Sequence, residues 1–147
     1  MEKYINLIET MNRFISITNE RSKQARDYGS GHLLYQSEIH TIQALGNHGE
    51  INASELAEIL SVTNGAITQV IAKLVKKGLV EKYKLPDNKK EVYFKLTEEG
   101  HIADKGHTLF HKKTYQTVSS YLDQLEVDQV DIINDFFSKM NETLPHE

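Results

Sequence analysis

The sequence predicts a mainly helical fold carrying one short β-hairpin, and three observations predict it. Apolar residues recur at three- and four-residue steps over most of the 147-residue chain. One segment, 79–96, alternates instead, and Pro86-Asp87-Asn88-Lys89-Lys90 interrupts it. Capping residues stand ahead of the helical runs and glycines follow them. The length fits one domain over 1–147, and a hydrophobic fraction of 39% is enough for a core.

The first helix is expected over residues 4–28. Tyr4, Leu7, Ile8, Met11, Phe14 and Ile15 make its stripe, and Gly29-Ser30-Gly31 ends it. Ile5 and Ile17 widen the stripe beyond what a lone surface helix needs. A second helix covers Ser37 to Leu45 and closes at Gly46-Asn47-His48-Gly49. Asn52 then caps a third helix, with Glu55 placed to reach back to the cap's N–H and Leu56, Ile59 and Leu60 turned inward. A tight turn leads to Thr63 and a fourth helix to Lys77, buried through Ile67, Val70, Ile71, Leu74 and Val75. Gly78 stops it. Strands follow at 79–85 and 91–96, joined by a turn over 86–90. Thr97 caps a long helix to about Leu125, with Glu98 and Glu99 at the positive end of its dipole. Asp128 caps a last helix through Val130, Ile133, Phe136, Phe137, Met140 and Leu144.

Composition removes several classes of function. With no cysteine there is no disulfide framework, thiolate zinc finger or thiol switch. No apolar run approaches the ~18–20 residues of a membrane helix, so no membrane partner is expected. The N-terminus lacks signal-peptide order, and a cytoplasmic location is expected. The formal charge of −4 argues against nucleic acid, but its distribution does not. Residues 52–97 hold eight lysines and five acids, a balance of +3, and the flanks carry −7.

That basic segment is a capped helix, a tight turn, a second helix and a hairpin: a winged helix-turn-helix. Opposite its apolar stripe, helix 63–77 carries Asn64, Gly65, Thr68, Gln69, Ala72, Lys73 and Lys76. Small and amide side chains suit base edges in a major groove, and lysines suit phosphate oxygens. Thr63 opens this helix. Asn52 and Ser54 stand at another helix N-terminus, where backbone N–H groups can take a phosphate. Asn88, Lys89 and Lys90 form a basic hairpin tip suited to the minor groove or the backbone. The expected partner is double-stranded DNA.

Residues 56–63 (Leu-Ala-Glu-Ile-Leu-Ser-Val-Thr), followed by Ala66-Ile67-Thr68, by Leu74 to Lys82 and by Leu96-Thr97-Glu98-Glu99-Gly100, resemble the MarR family of transcription regulators over nearly the whole chain. The resemblance implies a homodimeric repressor on a roughly palindromic site. Its helical dimerisation region would be 1–35 and 98–147, and its DNA-binding region 36–97. The family wing carries Asp-x-Arg, whereas here Asn88 falls at the Asp position and lysines follow. Lysine reads a minor groove less well than arginine, so this wing is expected to supply phosphate affinity more than sequence reading.

His107 and His111 lie four apart on one helix face, and His40 stands on the second helix. Three roles are open to the set: metal ligands, polar lining of an organic-ligand pocket, or structural hydrogen bonds. The zinc-uptake repressors of the family, which the set resembles, imply zinc as a candidate cofactor. In those proteins a first-helix carboxylate completes the site. Here that place falls near Ser22, with Glu20 and Asp27 the acids on either side, and the fourth ligand is unassigned. The family's fatty-acid-synthesis repressors, resembled by Glu38-Ile39-His40-Thr41-Ile42 and by His107 to His111, imply an acyl effector instead. No enzyme is expected. A metal-dependent hydrolase on His40, His107 and His111 lacks a general base, since no Glu follows the first His of the helical pair. The remaining alternative is a winged-helix protein-interaction module without DNA binding, against which the polar face of helix 63–77 argues. His32, His48, His101 and His146 are expected in loops or on the surface.

Overall fold

A computed structural model describes residues 2–143 of the chain. After one 3-10 turn at Glu2–Tyr4 the order is α1 (Ile5–Ser22), β1 (Arg26–Asp27), β2 (Leu33–Leu34), α2 (Gln36–His48), β3 (Ile51–Asn52) and α3 (Ala53–Ile59). Then come α4 (Asn64–Lys76), β4 (Val80–Leu85), β5 (Asn88–Leu96), α5 (Glu98–Leu122) and α6 (Val127–Thr143). Contacts divide the chain within α5 into residues 1–109 and 110–147. No helix among the described residues is long and apolar enough to cross a membrane.

The core lies in the first unit. Ile39, Ile42 and Leu45 of α2 meet Leu56 of α3, Ile67, Ile71 and Leu74 of α4, Leu79 just before β4, and Val80 and Leu96 of the sheet. The sheet is antiparallel in the order β3-β5-β4, with Ile51 opposite Phe94 and Val80 opposite Leu96. Local chemistry sets the helix ends. Asn52 Oδ1 accepts the Glu55 N–H at 2.9 Å, and Glu55 Oε2 accepts the Asn52 N–H at 2.9 Å, a complete capping box. Thr63 Oγ1 accepts the Ala66 N–H and starts α4. Gly78, at φ +71°, ends it: its N–H reaches Val75 O while the Leu79 N–H reaches Leu74 O.

Several elements depart from the sequence reading. The first helix stops at Ser22 rather than near residue 28. Residues 26–34 instead form a hairpin, because Asp27 Oδ1 accepts the N–H groups of Gly29 and Gly31 and folds the turn locally. Ile59 does not face inward but is 43% exposed. Asp128 lies inside the first turn of α6 rather than at its cap, and the α6 ladder starts from Glu126 O. The long helix ends at Leu122, short of Leu125. Leu144 and His146 lie outside the described residues.

Neither α1 nor α6 buries a single residue. Leu7, Phe14 and Ile17 of α1, and Ile132 and Phe137 of α6, are exposed apolar side chains. The long C-terminal half of α5 likewise exposes Tyr115, Val118 and Tyr121.

One carboxylate of the first unit is poorly placed. A Cβ on Gly46 of α2 would collide with Asp104 Oδ2 of α5, so this carboxylate lies directly against the α2 backbone. Burial pushes its carboxyl above the ordinary range, with His101 opposing in part. The folded chain therefore holds this proton more tightly than the unfolded one, and stability falls as pH rises from the ordinary carboxylate range through the raised value. Asp104→Asn is expected to raise the thermal midpoint at neutral pH, with the gain shrinking toward acid. A difference in midpoint that does not change with pH would contradict this.

Candidate nucleic-acid interface and histidine cluster

Helix α4 follows α3 across a turn in which Ser61 takes φ +52°. The Val62 N–H reaches Ala57 O there, so α3 ends without stranding its last carbonyls. Because Ile67, Ile71 and Leu74 are buried, helical periodicity throws Asn64, Gly65, Thr68, Gln69, Lys73 and Lys76 outward, and all six are exposed. Thr68 Oγ1 donates to Asn64 O at 2.7 Å, and both its lone pairs remain for other donors. Thr63 and Ser54 are exposed as well. Asn52 is half-buried and committed to its cap, and the Glu55 carboxylate lies against that same helix end.

The hairpin turn is tighter than the sequence predicted. Leu85 pairs directly with Asn88, so Pro86 and Asp87 alone make the turn, and Lys89 and Lys90 belong to β5. The register breaks between Tyr83–Tyr93 and Leu85–Asn88, so both lysines lie, exposed, in the irregular stretch of β5 rather than in a loop. Asn88 is turned inward: its Nδ2 donates to Glu91 Oε2 at 2.8 Å, and its Oδ1 accepts the N–H groups of Lys90 and Glu91 at 3.3 Å. Tyr93 OH donates to the same Glu91 oxygen at 2.7 Å. That bond, before burial and the Glu91 charge, pushes the Tyr93 phenol up.

Two lysines of the basic segment are turned to structural work. Lys77 Nζ, at the C-cap of α4, donates to Glu38 Oε1 at 2.7 Å and to Leu33 O at 2.9 Å. Glu38 is buried, and its other oxygen accepts the Tyr35 N–H at the start of α2. Lys95 pairs with Glu81 at 3.1 Å on the exposed wing. Sequence reasoning passed over the Lys77–Glu38 pair, although a signal was present. Lys77 continues the Ile67–Val70–Leu74 stripe, and Glu38 continues that of Ile42 and Leu45, so both charges sit at core positions.

The histidines come together. His107 is buried, while His40 and His111 are half-buried. The His40 and His107 rings lie 5.6 Å apart, and Tyr28 stands edge-on to His107 at 5.2 Å. Helix α5 is unbroken from His107 to His111, and one ligand atom from each of the three histidines lies within 4.8 Å of the others. Among the described residues no carboxylate joins this group. The acids on either side of Ser22 are engaged elsewhere, Glu20 with Lys23 at 2.8 Å and Asp27 with the hairpin turn. Burial pushes the Tyr28 phenol up, Arg26 opposing. Beside His40 a cleft of about 540 Å³ opens between α1, α2 and α4, lined by Ser22, Tyr35, Glu38 and Lys73 among others. His48 and His101 are exposed as expected, and His32 is half-buried.

A family model described as the MarR family matches residues 34–92. The HTH-type transcriptional regulator YhjH of Bacillus subtilis (strain 168), itself uncharacterized, is 30% identical over 129 residues, covering 88% of this chain and 71% of that protein. Among solved structures, Lactococcus lactis ZitR, described as a zinc-responsive MarR family member, superposes with a TM-score of 0.74 at 22% identity, over 93% of this chain and 96% of that one. Streptococcus pneumoniae FabT in complex with DNA superposes with a TM-score of 0.65 at 22% identity, over 96% and 92%.

Proposed function

The chain belongs to the MarR family, and from that premise we propose that it is a sequence-specific repressor that binds double-stranded DNA as a homodimer on a palindromic operator. The observation that carries this reading is the exposed face of α4, small and amide-bearing at its start and cationic at its end. Thr63, Asn64, Gly65, Thr68 and Gln69 enter the major groove and read base edges. Ser54, Lys73, Lys76, Lys89 and Lys90 take phosphates, with Asn52 and Asn88 shaping the segments around them. ZitR and FabT have both been solved with DNA, which supports the reading. The exposed apolar faces of α1 and α6 become the dimer interface, since a lone chain has no use for them. Two α4 helices then meet half-sites about one helical turn apart. Such a regulator works in the cytoplasm and catalyses no reaction.

Gel-shift titration across a salt series tests the reading. Binding should weaken steeply as salt rises, and absence of duplex affinity at low salt would sink it. Gln69→Ala should cost about 1–3 kcal/mol of discrimination between the selected site and a mismatched one. Unchanged discrimination would remove Gln69 from the reading face.

The effector site is His40, His107 and His111. Three imidazoles within reach of one another suit zinc, which accepts three protein ligands with water as a fourth. When bound, the metal would tie α2 to α5 and favour one dimer geometry. Protein purified without chelator or affinity tag should carry stoichiometric zinc, and His107→Ala should lose it. Wild-type protein that cannot be loaded would shift the effector to the second reading, an organic ligand in the cleft lined by Ser22, His40 and Lys73, of which an acyl chain is one candidate.

A further inference from the structure

The geometry points to Glu91 as a positioning residue for DNA binding: its carboxylate holds the wing in shape although its charge opposes the phosphates. The inference rests on the DNA-binding reading above. Glu91 is exposed on the hairpin that carries Lys84, Lys89 and Lys90, where an acid repels a polyanion. On charge alone this position works against the wing. The hydrogen bonds explain its presence. One oxygen, Oε2, accepts from Asn88 Nδ2 at 2.8 Å and from Tyr93 OH at 2.7 Å. The first bond settles which way the Asn88 amide points, so that Oδ1 faces the backbone and accepts the Lys90 and Glu91 N–H groups. The second anchors the carboxylate to Tyr93, whose ring lies 6.0 Å from Tyr83 across the strand pair. A two-residue turn with a register irregularity between Tyr83 and Leu85 has few ladder bonds of its own at the tip. The side-chain network takes their place and fixes the strand that carries both wing lysines before DNA arrives. A preordered strand gives up less conformational freedom on binding than a loose one.

Two variants separate the carboxylate's charge from its acceptor role. Glu91→Gln and Glu91→Ala remove the same charge, but only glutamine keeps an oxygen for Asn88 and Tyr93. The probe is a duplex selected from a random pool by the wild-type protein. E91Q should bind it at least as tightly as wild type, and E91A should bind about five- to tenfold more weakly than E91Q. Salt slopes of the two variants should match. Amide exchange in the free protein gives an independent readout, with the Lys90 N–H exchanging faster in E91A than in E91Q. Equal affinity in the two variants overturns the inference, and so does equal exchange at Lys90. A Lys89→Ala/Lys90→Ala variant run alongside identifies the level of failure. If it binds weakly while E91A equals E91Q, the wing touches DNA and only the positioning role falls. If it binds as wild type, the wing lysines take no phosphate and the positioning role falls while DNA binding through α4 stands; if no duplex is enriched at all, the DNA-binding reading itself fails.

Discussion

Gly100→Ala is expected to lower the stability of the protein by about 2–3 kcal/mol, the upper range for forcing atoms into a packed site. A Cβ at this position would run into the Leu79 carbonyl oxygen. That oxygen is backbone and cannot swing aside, because it also accepts the Thr97 N–H at 3.1 Å. Thr97 is itself held, donating from Oγ1 to Gly78 O at 2.7 Å and accepting the Gly100 N–H at 3.1 Å. The end of α4, the start of β4, the end of β5 and the start of α5 meet at this junction, so any shift is shared by four elements. Gly65→Ala is the control. It stands in α4 with nothing within 4 Å of its added methyl, and alanine there should be neutral or stabilise by about 0.5 kcal/mol. Urea midpoints of the three proteins measure both effects. A Gly100→Ala midpoint equal to wild type would show that the junction can open at no cost.

Lys77→Met should cost about 2–3 kcal/mol. The Glu38 side chain is 4% exposed and Lys77 is its cationic partner, so removing the lysine strands a carboxylate in the interior. Breaking a fully buried pair costs roughly 3–5 kcal/mol, and the 28% exposure of the Lys77 side chain reduces that figure. Glu38→Gln/Lys77→Met should recover part of the loss, because the amide oxygen can still accept the Tyr35 N–H without an unpaired charge. Additive losses in the double variant would show that the two side chains do not act as a pair. Lys77 is also a test of the charge distribution. Its ammonium is spent inside the fold, so the salt slope of DNA binding should be the same in Lys77→Met as in wild type. A shallower slope would place Lys77 on a phosphate.

Legibility followed the range of the interactions involved. The helix-turn-helix was readable because its determinants are local: Asn52 with Glu55, Thr63 with Ala66, Gly78 after α4, and a stripe on α4 that defines the opposite face by elimination. The end of α1 was misread because the stripe fades after Ile17, and a hairpin closed by the Asp27 carboxylate competes for the following residues. The wing turn was misread for a related reason. Asn88 looks like a turn residue, yet its amide is used to brace a strand. Lys77 and Glu38 were visible as charges at core positions, but only their meeting across 39 residues of chain explains why either is there.

By itself the sequence determined the architecture, the basic winged segment and the exposed polar face of α4, since period, caps and glycines act within a few residues of one another. It also placed His107 beside His111, because one helical turn separates them. The tertiary structure alone decided that His40 joins them, that no carboxylate completes the group among the described residues, and which lysines of the basic segment are held in ion pairs. Those outcomes depend on how α2 packs against α4 and α5, and packing between distant segments is set by shape and burial that no local pattern records.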